Sequence, residues 1–389
     1  MFYLILITVV GINIAPFFAI GDPKFFWNAQ GLWAQLGILI CFAYSFFEKA
    51  KYENPKNKAL GLLIMWVGIL TWFACMIIQK KGSYDVRPLL PFFNFLCLVI
   101  LYRLIVQYLN IKQIKVFGEV LRYSIIVTIV LSGLQAVGFS QFFSLIYPDY
   151  QNGEYVNNLV SGFLGNGTHL SGFLAMCAPL FFKFKKLDIL WLLGLVGVLI
   201  LSGQTKGDVP ISGLIVLLSV VLYYTWEKDN GFFLLEVCAL LLISAFLYLK
   251  VEEWGMFFHS QGRMGWWKDF FFASQRTFIT GAGFGSVFMI GVKSKYPMHL
   301  HNEYVQFLFE GGLITIILII NFIKNFFQIK KNENSLVFKT IFVGFLVSSC
   351  FTYPAHLWLP ASYATVSYAM VVALKKEVNL VSYPIPNKS

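Results

Sequence analysis

Long apolar blocks separated by short polar breaks make up almost the whole of this chain. A window of roughly 20 residues, the length needed to cross about 30 Å of hydrocarbon, fits about twelve times along it. The pattern predicts helices near residues 2–20, 30–47, 60–78, 89–109, 118–137, 163–182, 187–202, 209–225, 231–250, 302–323, 337–353 and 357–374. The expected fold is therefore an all-α polytopic membrane protein, one transmembrane domain over 1–389. Most connections are short and no repeat of 20–50 residues is visible. Two connections are long: 138–162, and 251–301 between the ninth and tenth spans, which carries Trp and Phe beside charges in "VEEWGMFFHSQGRMGWWKDFFF". That composition suits short amphipathic helices at headgroup level, and a loop of this length is expected to be functional.

Composition agrees with the pattern. The 389 residues are 58% hydrophobic and 13% charged, well outside the usage of ordinary soluble domains. A net charge of +11 raises the question of a nucleic-acid partner, but its distribution follows topology. With the N-terminus inside, cytoplasmic loops and tails hold about 18 Lys and Arg against about five in the short outer loops, the positive-inside asymmetry. No basic stripe remains to grip nucleic acid. Both termini are placed in the cytoplasm and the 251–301 loop outside. All six cysteines (Cys41, Cys75, Cys97, Cys177, Cys238, Cys350) fall inside predicted spans with no CxxC, so neither disulfides nor a zinc framework is expected. The first apolar stretch lacks a basic leader region and reads as an uncleaved first helix.

Candidate chemistry gathers at the start of the tenth span, "HLHNEYVQFLFEGG", residues 299–312. Asn302 is placed to cap a helix beginning at Glu303, leaving His301 just before its first turn, beside amides suited to a phosphate. Simple capping is the plainer reading. His299 and His301 are spaced i, i+2 and share no helical face, and no further cluster completes a ligand set, so no metal is expected. Glu310 lies seven residues beyond Glu303, on the same face and about two turns into the span. A carboxylate there implies a pathway or a structural bond to a neighbour. In the long loop Arg263 offers a planar fork matched to phosphate oxygens. Arg276 and Lys268 are weaker candidates nearby. Lys206, in "LSGQTKGDVPISG", adds a cation at an outer turn unless Asp208 pairs with it. "GAGFGS" at 281–286 lacks the preceding strand and βαβ context of a nucleotide loop and reads as a flexible turn. Trp254, Trp266 and Trp267 are placed to anchor at the interface.

Taken together, "TGAGFGSVF" followed by "HNEYVQFLFEGGLI", with "GFLGNGTHLSGFLAMCAPL" and "LILSGQTKGDVPISGLIVLL" upstream, resemble the O-antigen ligase and O-antigen polymerase superfamily of membrane glycosyltransferases. The motifs span roughly 160 to 325. The resemblance implies a GT-C-like helical enzyme of the bacterial inner membrane. It would use an undecaprenyl-diphosphate-linked glycan as donor at the periplasmic face, with a glycan or lipid A core hydroxyl as acceptor and no cofactor or metal. By position, His301 matches the family's loop-end histidine, Arg263 the large loop's arginine, and Lys206 falls where the family usually has arginine. Asn302, Glu310, Arg276 and His299 would complete the substrate contacts. The alternative from another class is a transporter or lipid-glycan flippase, whose ionisable groups would sit nearer mid-membrane.

Overall fold

A computed structural model describes residues 1–15, 23–52, 58–79, 89–136, 164, 167–181, 263–273, 277–287, 290, 300, 302–327, 329, 333–349 and 354–381. Among them every regular element is helical. The helices are α1 (Phe2–Ile14), α2 (Pro23–Tyr44), α3 (Lys58–Gln79), α4 (Leu89–Tyr108), α5 (Ile111–Ala136), α6 (Gly167–Cys177), α7 (Arg263–Ala273), α8 (Glu303–Phe327), α9 (Glu333–Ser348) and α10 (Trp358–Val381). A 3-10 turn, Ala178–Phe181, extends α6, and another, Pro354–His356, precedes α10.

The segments Lys58–Cys75, Leu89–Tyr108 and Glu303–Lys324 are long and apolar enough to cross a membrane, and Phe2–Ile14, Ala29–Tyr44, Gly172–Phe181 and Ser335–Ser348 are shorter apolar helices. This character indicates membrane association. The spans expected at 187–202, 209–225 and 231–250 lie outside the described residues, as does the 138–162 connection. Side chains such as Met65, Trp72, Ile317 and Ile320 are exposed, a pattern that suits a hydrocarbon solvent.

Local chemistry sets the ends of these elements. Asn110 and Gln113 form a reciprocal cap at the head of α5: the Gln113 amide donates to Asn110 Oδ1 at 2.9 Å, and the Asn110 amide donates to Gln113 Oε1 at 3.1 Å. Two of the first turn's unsatisfied donors are thereby paired. Helix α10 packs along both α4 and α9, α1 lies on α2, α6 on α9, and α3 on α8. An aromatic knot ties the second half of α8 into this bundle. Phe322 stacks on Tyr368 of α10 at 4.5 Å and Phe326 on the same ring at 5.0 Å, while Phe342 of α9 meets Phe326 at 4.6 Å. The Tyr368 hydroxyl donates to the Phe322 carbonyl at 3.1 Å, so its polar end is satisfied inside the cluster.

Candidate functional site

The tenth predicted span is not one continuous helix. At Gly312 (φ 65°, ψ −175°) the backbone of α8 leaves helical geometry. In an unbroken helix the Leu313 and Ile314 amides would donate to the Phe309 and Glu310 carbonyls. Here they donate instead to the Phe278 and Ile279 carbonyls, at 2.9 and 3.3 Å. The carbonyls they leave are taken by the Ala282 and Gly283 amides, at 2.8 and 2.9 Å. The glycine-rich segment therefore inserts into the break and exchanges backbone partners with it, leaving none of these groups orphaned. Such substitution is what non-helical backbone needs when water is scarce.

Only glycine fits this joint. A Cβ on Gly281 (φ +80°) would lie 2.3 Å from the Glu310 carbonyl oxygen, and one on Gly312 would lie 2.3 Å from that of Ile279. The expected flexible turn is thus a bonded part of α8. The carboxylate of Glu310 is buried, and Oε1 accepts the Val287 amide at 3.1 Å. Of the two roles open to Glu310 from sequence, this contact is the structural one. On the far side of the break, Trp66 of α3 donates its indole N–H to Thr315 Oγ1 at 3.1 Å, and Thr315 donates to the Gly311 carbonyl at 2.7 Å.

The head of α8 is equally constrained. Asn302 Oδ1 accepts the Val305 amide at 3.0 Å, the side-chain cap expected from sequence. Replacing Asn302 with alanine is expected to cost about 1 kcal/mol, read as a fall in the detergent unfolding midpoint; an unchanged midpoint would mean the cap contributes nothing. Glu303 is 1% exposed. Its Oε1 accepts the Ala355 amide at 2.7 Å, and its Oε2 lies 3.0 Å from Nδ1 of His356. On the other side of the imidazole, Nε2 of His356 lies 3.1 Å from Nε2 of Gln306, whose Oε1 accepts the Leu300 amide at 3.2 Å. The ring of Phe307 stacks on His356 with centroids 6.4 Å apart. Burial alone would push the His356 imidazole down. The Glu303 carboxylate, by charge and by hydrogen bond, and the more distant Glu310 charge together hold its pKa above the ordinary histidine value.

Helix α7 docks onto the same place. Phe270 packs edge to face on Phe309 with centroids 4.8 Å apart, and the Trp267 indole donates to the Leu300 carbonyl at 2.6 Å. Trp267 therefore ties the chain entering α8, rather than serving only as an interface anchor. Arg263 opens α7, one turn before Trp267, so its helix is fixed against the start of α8. His301, His299, Arg276 and Lys206 lie outside the described residues, though Leu300 and Asn302, which flank His301, are both held.

Two residues of this cluster are not singled out by the sequence reading: Gln306, one turn beyond Glu303, and His356, in "YPAHLW" before α10. The signal for His356 is faint. It is one of five histidines, next to a proline turn at a predicted helix start, and its partner is 53 residues distant. No family model matches the chain, and no curated protein matches it.

Proposed function

We propose that the chain is a membrane glycosyltransferase of the O-antigen ligase or polymerase type. It would be a GT-C-like protein of about twelve spans in the bacterial inner membrane, with both termini cytoplasmic. In this reading an undecaprenyl-diphosphate-linked glycan is transferred to an acceptor hydroxyl, on another glycan or on lipid A core, at the periplasmic face. The observation that carries it is the joining of its two motif segments. The glycine-rich segment and the Phe-Glu-Gly-Gly stretch of "HNEYVQFLFEGGLI" meet as one interleaved backbone unit, with the helix that begins at Arg263 docked against Phe309 and Leu300.

The chemistry follows from charge. Breaking a sugar–diphosphate bond develops negative charge on the leaving diphosphate, which fixed cations and helix-end amides stabilise. Arg263, Lys206 and the start of α8 would supply these, with Lys206 contributing charge but no bidentate fork. A neutral imidazole at His301 would take the proton from the attacking hydroxyl, an effect of roughly 10²–10⁴-fold in rate. Asn302, Glu310, Arg276 and His299 would lie around the donor, Glu310 through the loop it holds.

A lipid-glycan flippase or solute transporter is favoured by one observation, the break in α8, since discontinuous helices commonly hold transported ions. Here the four backbone groups at the break are already bonded to residues 278–283, so the break is filled by the chain itself. The test is transfer by purified protein in detergent, with undecaprenyl-diphosphate glycan, candidate acceptors and EDTA. His301→Ala is expected to lower transfer by about 100-fold or more, and Arg263→Ala to lower it too. Transfer that survives both substitutions would refute the site. Flipping in vesicles without transfer would favour the transporter.

A further inference from the structure

The hydrogen bonds around His356 determine its proton. The Leu300 amide can only donate, so the Gln306 atom facing it at 3.2 Å is the acceptor Oε1. Gln306 therefore turns its NH2 group, which also only donates, toward Nε2 of His356 at 3.1 Å. Nε2 must then offer a lone pair, and the ring hydrogen sits on Nδ1, directed at Glu303.

We propose that His356 is a positioning residue: its neutral Nδ1–H form, wedged between Glu303 and Gln306, keeps Leu300 and the turn into α8 in place, and proton uptake by His356 undoes that hold. A proton on Nε2 would face the Gln306 NH2 group, donor against donor. Rotating the Gln306 amide relieves that clash only by turning NH2 toward the Leu300 amide, which then has no acceptor. Leu300 is fully buried, so water cannot readily replace the lost partner. Its carbonyl stays tied to Trp267 at 2.6 Å, so only one of the two attachments depends on the imidazole. Among the described residues, the carboxylates that act on His356 are Glu303 and Glu310, both on α8. Both carboxylates favour the imidazolium while Gln306 requires the neutral ring. The opposition places the exchange of the two forms within reach of ordinary pH changes.

The consequence for transfer rests on the function proposed above, because Leu300 precedes His301. Activity should fall as pH drops and His356 takes up its proton. The hold itself is read without substrate, by amide hydrogen exchange at Leu300 in the full-length protein, normalised to the intrinsic rate at each pH. Wild type should exchange Leu300 roughly tenfold faster at acid than at alkaline pH, the effect of one lost buried hydrogen bond. His356→Asn cannot take up a proton and should abolish the pH dependence. Gln306→Glu offers one oxygen to Leu300 and the other to the imidazolium, and should preserve protection in acid. Protection at Leu300 that is independent of pH in wild type, or a pH dependence unchanged in both variants, overturns the proposal. Should His356→Asn fail to fold, the wild-type series and Gln306→Glu decide. A pH-dependent Leu300 in a protein that transfers no glycan supports the hold and counts against the glycosyltransferase reading alone. Transfer that needs His301 but shows no acid loss, beside a pH-independent Leu300, sinks the hold alone.

Discussion

Gly281→Ala is expected to unseat the inserted segment and to cost about 3–5 kcal/mol, much of the 5–15 kcal/mol that typically separates folded from unfolded chains. Two effects add. The left-handed backbone at φ +80° costs a side chain about 1–2 kcal/mol. The new Cβ also meets the Glu310 carbonyl at 2.3 Å, a backbone atom with no rotamer to escape into. Moving either strand of the joint stretches the bonds from Ala282 and Gly283 to α8, and those from Leu313 and Ile314 back to the segment. Each lost bond costs about 1 kcal/mol, and more where the freed group stays buried. The control is Gly61→Ala in α3, where an added Cβ meets nothing within 4 Å and helix propensity should yield up to about 1 kcal/mol of stabilisation. Detergent unfolding midpoints and yields of monodisperse protein compare the two. Equal behaviour would show that the segment is not seated as described.

Glu303→Ala is the second large effect, expected at about 3 kcal/mol. It strips the acceptor from the Ala355 amide and leaves His356 without its carboxylate. Removing one member of a buried ion pair commonly costs about 3–5 kcal/mol; the imidazole is neutral in this arrangement, so the loss is of hydrogen-bond acceptors and the expectation sits at the lower end. Glu303→Gln keeps an acceptor for Ala355 and removes only the charge, so it isolates the pH dependence. The folded state holds the His356 proton more tightly than the unfolded chain does. The resulting stabilisation is complete below the unfolded pKa of about 6.5 and is lost as pH rises through the higher folded value. Wild type should therefore gain global stability on acidification across this window, and Glu303→Gln should lose that gain. An identical slope in both would remove Glu303 as its source. The sign is opposite to that expected for the local protection of Leu300, so one titration separates the two effects.

Much of this arrangement is legible in the sequence, where a contact is local or a pattern long. The apolar run at 89–109 forms α4 (Leu89–Tyr108) almost to the residue, because its one proline, Pro91, falls in the first turn, where a helix tolerates it. Asn302 caps α8 as its side chain and position suggest. Glu303 and Glu310, seven residues apart, both turn into the buried face. The break at Gly312 is harder to see. Two glycines weaken a helix by about 1 kcal/mol each, yet whether it opens depends on a segment some 30 residues upstream that can replace its bonds. For the same reason "GAGFGS" reads as a loose turn: its glycines announce positive φ, but its hydrogen-bond partners are distant in the chain. His356 and Gln306 belong to this class too, since a single sequence gives no hint that the turn before α10 meets the start of α8. Lys206, His299, His301 and Arg276 fall outside the described residues, so the parts of Lys206 and His301 rest on the sequence resemblance and those of His299 and Arg276 on their places in the sequence.

The interleaved joint also fixes the length of the two segments that form it. Val287 and Leu300 are each fastened to α8 as well, through Glu310 and Gln306. A single residue inserted between 279 and 282, or between 310 and 313, would shift the exchanged bonds out of register with one another. The two segments are thus bound to keep a common count.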